Sequence, residues 1–557
     1  MRTSRFLPVA TLAVVLSALA GGLLGSGLMA RQDEVSQQYK IFTSALSAIE
    51  REYVDELPSD RLVYGAIDGM LKTLDPHSSF FDPRSYRQLR ERQQGSYYGL
   101  GIQIQTSTDG DITVMSVFEN SPAYRQGLRR GDVIARIKSS NTKEDEAKGW
   151  QDAKGWTSDQ AVTQLKGPKG TTVGVSIRRR GHDGLIDLTI ERDAVNITTV
   201  RGAFMLDKDT GYIKLADFSE TSDEEVGKAL KDLSAKGMKR LIFDLRDNPG
   251  GPLDQAIKIS NRFLPKGSMI AFTRGRTPSS NEEYRATEES EYTRLPLVVL
   301  VNRNSASASE IVSGAIQDHD RGLVVGETTF GKALVQSVYT IGSRTQGAGL
   351  ALTTGRYHTP SGRMIQRPWD GAFDEYLTYS LRDQSADRSH DSAELFYTDA
   401  KRKVYGGGGI EPDKFLAGPV EGFNPTRFGR TLWARQEFAN FADQFSAEGD
   451  TRLSAASRNQ KRISKGYTVT DEMVNEFKAQ LKNRKIVLDD ASFAKDDQFI
   501  RAMLRYDIDL ALFGVEEARS NLAVKDPQTQ FALQQFPEAI KLTELMRTRV
   551  GSDNKEK

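Results

Sequence analysis

The sequence predicts a multidomain α/β protein, with a β-rich module ahead of an α/β core and helical segments at both ends. Three observations predict it. Short alternating apolar runs fill about 96–194, strand and helix signals alternate from about 205 to 360, and helical spacing governs the two ends. A chain of 557 residues with 38% hydrophobic content exceeds one ordinary core and has a globular composition.

At the N-terminus, Arg2 and Arg5 precede an uncharged stretch from Phe6 to Ala30, before charge resumes at Arg31 and Asp33. Residues 1–30 therefore read as a signal peptide or membrane anchor. Ala18-Leu19-Ala20 offers a small-residue cleavage pattern, while the length of the apolar run favours retention as an anchor. Residues 31–95 form a helical segment. Its apolar positions are Tyr39, Phe42, Leu46, Ile49 and Tyr53, then Leu62, Ala66, Met70 and Leu74 beyond Pro58.

The β-rich module spans 96–195, with alternation at Ile102/Ile104 and Val173/Val175/Ile177. The core, 196–420, opens on the strand Gly211 to Leu215. A helix follows from Ser222, for which Glu225 completes a capping box; Val226, Leu230 and Leu233 form its buried stripe and Gly237 stops it. Apolar runs at Leu241 to Phe243, Leu297 to Val301 and Leu323 to Val325, the first two followed by helix signals, are the pattern of βαβ units. The polar stretch 370–405 reads as an inserted surface loop. Residues 421–557 form a helical domain, with stripes at Phe438/Phe441/Phe445, Met473/Phe477/Leu481 and Phe499/Met503/Tyr506/Leu510.

Composition narrows the chemistry. The 76 basic and 75 acidic residues nearly cancel, so no global field favours nucleic acid. The absence of cysteine excludes disulfides, thiolate metal clusters and cysteine nucleophiles. His77, His182, His319, His358 and His390 fall in no recognisable triad or metal motif. His319, after Asp318, is the fallback base.

Asn304-Ser305-Ala306-Ser307-Ala308-Ser309-Glu310-Ile311 follows one apolar strand and opens a helix. A serine at such a turn stands at the sheet's end, where the helix start aims free N–H groups at an incoming carbonyl oxygen. Alone, the run caps and packs a helix. A second segment, Gly326-Glu327-Thr328-Thr329-Phe330-Gly331-Lys332, brings one amine to the same sheet edge, with Gln336 four residues on. A neutral lysine amine can activate a serine hydroxyl.

These two segments, SASASE and GETTFGKALVQ, closely resemble the signature of the carboxyl-terminal processing peptidases, also called tail-specific proteases. The resemblance implies Ser307 as nucleophile, Lys332, 25 residues downstream, as general base, and Gln336 as its support. Ser305 and Ser309 are the local alternatives. Asp244-Leu245-Arg246-Asp247-Asn248-Pro249-Gly250-Gly251 resembles the family's DLR-x-N-x-GG loop. It implies an oxyanion hole built from Gly250 or Gly251 with the N–H of Ala308, the choice of glycine staying open. Gly409-Ile410-Glu411-Pro412-Asp413 resembles the family's closing element.

In the β-rich module, Tyr98-Gly99-Leu100-Gly101-Ile102 resembles the carboxylate-binding loop of PDZ domains. Ser121-Pro122-Ala123, Gly127-Leu128, Gly131-Asp132-Val133-Ile134 and Gly167 to Thr171 follow in the order of that fold. Those five loop residues are the expected peptide-binding set, with the peptide adding a strand beside Ile102 to Gln105. The sequence departs from the simple pattern between about 139 and 157.

Taken with the resemblance, the expectation is a crotonase-like α/β protease core with an inserted PDZ domain. It would act as a serine endopeptidase of the periplasm or cell envelope on proteins with accessible C-termini, using no metal or cofactor. An activating adaptor, homo-oligomerisation and association with the inner membrane through the N-terminal segment stay open. The alternatives are a catalytically silent PDZ scaffold and, more remotely, an acyl-CoA enzyme on the same core.

Overall fold

The computed structural model describes residues 36–553, apart from 108, 180, 343–346, 370–375, 377, 383, 385–391, 419–424 and 450–462. The apolar stretch at 1–30 and much of the predicted 370–405 loop lie outside the described residues. The chain divides into two units: 1–86 with 337–353, and 87–336 with 354–557.

In the first unit, a helix covers 36–52 and a second runs Ser59–Leu71. Strand Ser79–Phe81 pairs antiparallel with Ala351 to Gly349. The helical spacing forms a helix as expected, but Tyr39, Phe42 and Ile49 are exposed on it, as is Tyr53 just beyond its end.

The second unit contains the β-rich module. Its sheet runs in the order Ile102–Thr106, Ile112–Val117, Val133–Ser139, Thr172–Arg178, Leu185–Glu191. The core beneath holds Ile112, Val114, Ile137, Val175 and Ile177 together with Ala161 and Leu165 of the helix Ser158–Leu165. That helix starts with a reciprocal capping box between Thr157 and Gln160. Its far end is held by the fully buried Arg192, whose guanidinium donates to the carbonyls of Gln164 and Leu165, each at 2.9 Å. The departure at 139–157 builds a short helix, Lys143–Lys148, and a strand, Gln151–Asp152, paired with Arg136 and Ile137.

The α/β core is a six-stranded sheet ordered Val200–Met205, Thr210–Leu215, Arg240–Asp244, Leu297–Val301, Leu323–Gly326, Lys414–Phe415. The first pair is antiparallel and the rest parallel. Leu297 to Val301 are all fully buried, as a parallel strand covered on both faces requires. One face packs on the helices Ser222–Ala235, Leu253–Phe263 and Ala308–Asp318 through Val226, Leu230, Ile259, Phe263, Ile311 and Val312. The other presents Tyr212, Ile242, Val298, Leu300 and Val325 to Ala532, Phe536, Ala539 and Leu542 of the last helices.

The C-terminal residues thus serve two cores. Phe438, Phe441, Phe445, Met473, Phe477, Leu481 and Met503 build one of their own, whereas Pro527–Gln534 and Phe536–Asp553 complete the protease sheet. The capping box expected at Ser222 does not form. Thr221 precedes the helix, and Glu225 accepts from Thr221 Oγ1 at 2.8 Å and from the amides of Thr199 and Val200. These unpaired amides of the incoming strand recruit the carboxylate that the box would have used.

Candidate active site

Strands Arg240–Asp244, Leu297–Val301 and Leu323–Gly326 lie side by side and parallel, so the loops after them leave the same sheet edge. Asn248, fully buried, knits the first two loops. Its side-chain amide donates to Leu215 O at 2.9 Å, and its carbonyl accepts from Ala306 N and Ser309 Oγ, each at 3.0 Å. Asp247 Oδ1 accepts from the side-chain amides of Asn302 and Asn304 at 2.8 and 2.9 Å.

The three serines of the second loop differ sharply. Ser305 is fully buried; its hydroxyl donates to Leu245 O at 2.8 Å and accepts from Asn302 N at 2.9 Å. Ser309 is equally buried and bonded to Asn248. Ser307 is partly exposed and immediately precedes the helix Ala308–Asp318. It is held at φ 53°, ψ −112°, a conformation costing a side-chain-bearing residue about 1–3 kcal/mol. A strained residue at a strand-to-helix turn projects its side chain above the sheet, the arrangement of a nucleophile elbow. Ser305→Ala and Ser309→Ala are accordingly expected to lower stability by about 1–3 kcal/mol each while preserving peptide hydrolysis. Urea unfolding and initial rates check both.

Glu310 joins the Ser307 turn to the lysine loop. Its Oε2 accepts from the N–H groups of Ser307 and Lys332 at 2.8 and 2.9 Å, and its Oε1 from Gly331 N at 2.7 Å and Thr329 Oγ1 at 2.5 Å. Burial raises its pKa, while the four donors, which favour the carboxylate, restrain the rise. Thr329 is fixed in turn, accepting from Ile410 N at 2.6 Å, which ties in the Gly409 to Asp413 segment. Lys332 Nζ donates at 3.4 Å to Oε1 of Gln336, which lies in the strand Leu334–Ile341. The Ser307 carbonyl accepts from Tyr357 Oη at 3.3 Å.

The glycine pair abuts this turn. A Cβ on Gly250, whose φ is +95°, would stand 2.7 Å from Ala306 O and 2.8 Å from Ser307 Cβ, so only glycine fits. The Gly250 N–H donates to Asn248 Oδ1 at 2.9 Å. The Gly250 N–H is thus engaged within its own loop, while Ala308 opens the helix at the turn.

Arg246, in the same loop, is partly buried between Asp244 and the last helices. It bonds Asp244 Oδ2 and Asp526 Oδ2, each at 2.6 Å, and Gln528 Oε1 at 2.8 Å. Asp526 precedes the helix Pro527–Gln534 and accepts from its Gln528 N–H at 3.1 Å, so the C-terminal segment clamps the glycine loop. Asp526→Ala is expected to cost about 2 kcal/mol, Arg246 keeping Asp244, and to slow hydrolysis about tenfold. Urea unfolding and kcat/KM check it.

His319 caps the far end of the helix that starts after Ser307, about 18 Å away by helix rise. Burial would lower its pKa, but its bonds to Asp399 at 2.9 Å and Met269 O at 2.7 Å raise it. It is a structural histidine and not a base for Ser307.

In the β-rich module, Ile102–Thr106 is an edge strand, paired on one side with Ile112–Val117. Between it and the helix Ser158–Leu165 runs an apolar groove lined by Leu100, Gly101, Ile102 and Ile104 on one side and Val162 and Leu165 on the other. Of the expected loop residues, Leu100, Gly101 and Ile102 line the groove; Gly99 and the half-exposed Tyr98 do not. Tyr97 does, and pairing with Asp193–Asn196 turns it, and not its neighbour, inwards.

Sequence reasoning assigned no role to Glu310, Thr329, Tyr357, Arg246 or Tyr97. Glu310 carried a readable signal by spacing, an acidic residue three positions after a helix-opening serine, and Arg246 and Thr329 stood inside quoted motifs.

Comparison with known proteins agrees with this layout. Residues 209–371 match the model of peptidase family S41, residues 88–178 that of the PDZ domain, and residues 26–85 that of the activating protease CtpB N-terminal domain. The carboxy-terminal-processing protease of Bartonella bacilliformis is 34% identical over 63% of this chain and 80% of its own length. The carboxy-terminal processing protease CtpA of Bacillus subtilis is 30% identical over 86% of this chain and 98% of its own. Among solved structures, the photosystem II D1 C-terminal processing protease is 26% identical over 68% of this chain and 92% of its own, with a TM-score of 0.34.

Proposed function

This chain belongs to the carboxy-terminal processing proteases, serine-type peptidases of family S41 with a PDZ domain, and from that premise we propose how it works. Ser307 Oγ attacks the scissile carbonyl and its proton passes to Lys332 Nζ, which Gln336 orients. The oxyanion of the tetrahedral intermediate is met by the N–H groups of Ala308 and Gly251. Collapse expels the amine, which takes the proton from Lys332, and leaves an acyl ester on Ser307. Water, deprotonated by the same lysine, then releases the acid and restores the hydroxyl. Every step draws on groups of the chain.

One observation carries this reading: the strained, partly exposed Ser307 and the Lys332 loop share a single carboxylate oxygen of Glu310. The two flanking serines are buried and committed to the backbone.

Substrates enter, in this reading, through capture of an apolar C-terminus in the PDZ groove, by strand addition to Ile102–Thr106. Export to the cell envelope, supported by Arg2, Arg5 and the stretch Phe6 to Ala30, makes exported proteins the substrate pool. Among the described residues no helix is long and apolar enough to cross a membrane.

The test is hydrolysis of an unfolded model protein ending in apolar residues, against the same protein ending in two aspartates. Faster hydrolysis of the first supports tail capture, and equal rates contradict it. Binding of the apolar tail with no hydrolysis of either protein would make the chain a PDZ adaptor instead.

A further inference from the structure

The PDZ groove holds charges that a purely apolar pocket does not explain. Lys166, the residue after the groove helix, lines the groove together with Tyr97. Its ammonium bonds Glu91 Oε2 at 2.6 Å and lies 4.4 Å from the centre of the Tyr97 ring. Lys166 is only about one-third exposed and Glu91 one-quarter, so the pair is partly withdrawn from water. Its backbone is fixed as well, the Lys166 carbonyl accepting from Asn141 Nδ2 at 2.8 Å.

Tyr97 lies across the loop. A Cβ on Gly99 would stand 2.8 Å from Tyr97 Cε2 and 3.6 Å from Lys166 Cγ, so the ring and the lysine stem cover the loop backbone. Burial pushes the Tyr97 phenol up to about 12, and the nearby backbone amide of Gly101 acts in the opposite direction. The Tyr97 phenol is thus turned towards the Gly101 amide of the loop that receives a tail carboxylate, and Glu91 sits on the Lys166 ammonium, the one ammonium lining the groove among the described residues.

We propose that this is a self-occupied binding site: Lys166 is the charged anchor for the substrate's terminal carboxylate, and Glu91 with the Tyr97 hydroxyl stands in for that carboxylate until a tail displaces them. The inference rests on the tail-capture reading above and adds to it a specificity-determining cation and an internal competitor. An incoming carboxylate exchanges one anion for another on Lys166, so the charge of the site is conserved while Glu91 swings to solvent. Because Glu91 belongs to the helix Pro83–Gln94 leading into the PDZ domain, tail binding also releases that helix from the groove.

The experiment is fluorescence-anisotropy titration of the full chain with a labelled ten-residue apolar-tailed peptide, as the free acid and as its C-terminal amide. Glu91→Gln is expected to tighten the free acid severalfold and leave the amide unchanged. Tyr97→Phe, which keeps the ring under Lys166, tightens the free acid as well. Lys166→Gln weakens the free acid about tenfold and erases its advantage over the amide. Urea unfolding with wild-type midpoints for all three variants excludes a folding defect. A wild type that prefers the free acid while all three variants behave like it overturns this proposal and leaves tail capture standing. Absence of binding by the wild type and Glu91→Gln alike overturns both.

Discussion

Lys332→Ala is expected to lower kcat/KM by more than about 1,000-fold and Ser307→Ala to do the same, with the double variant no worse than either single one. In the proposed mechanism the two groups act as one unit, since a serine hydroxyl without its base and a base without its nucleophile each leave only the binding and oxyanion contributions. Stability should barely change. The Lys332 N–H bonded to Glu310 belongs to the backbone and survives substitution, and removing the Ser307 side chain eases a strained conformation only slightly. Initial rates on an unfolded protein, with urea unfolding of each variant, separate this outcome from misfolding. A variant that keeps near-native hydrolysis removes its residue from the mechanism.

Glu310→Ala should be the most damaging change outside the reacting groups. It would leave the N–H groups of Ser307, Gly331 and Lys332 and the hydroxyl of Thr329 without their acceptor in a fully buried site. At about 1–3 kcal/mol for each unsatisfied buried donor, partly recovered by relaxation and water, the expected loss is at least about 3 kcal/mol. Activity should fall about 100-fold or more, because the same four bonds set where the lysine loop stands relative to Ser307. Glu310→Gln keeps the volume and one carbonyl oxygen but turns an NH2 towards two N–H donors, so it should recover part of the stability and less of the rate. Unfolding free energies and kcat/KM for the pair decide it. Native values for Glu310→Ala would mean that the two loops are held by other means.

Much of this site was legible because its chemistry is local in sequence. The serine run after one strand and the glycine-lysine loop after the next each announced a sheet-edge loop, and the fully apolar Leu297 to Val301 announced a strand buried on both faces. The same run also demanded a second covering layer. Nothing in the spacing of Phe536, Ala539 and Leu542 said that the last helices supply it, since that pairing spans more than two hundred residues. Roles fixed by competition for hydrogen bonds were less legible still. Glu225 suits a capping box with Ser222 by spacing, but the amides of Thr199 and Val200 claim it. Of Ser305, Ser307 and Ser309, only the fold reveals which two spend their hydroxyls on the backbone. Tyr97 and Tyr98 differ by one position on a strand, and the register with Asp193–Asn196 alone turns the first into the groove.

The central claim, that Ser307 forms the acyl-enzyme, is tested most directly by mixing the full chain with an activated acyl ester, quenching in acid within a turnover and mapping the added mass. The account predicts one acyl group per chain, on the peptide containing Ser307, and none in Ser307→Ala. Acylation of Ser305, Ser309 or any other residue, or continued hydrolysis by Ser307→Ala, would contradict it.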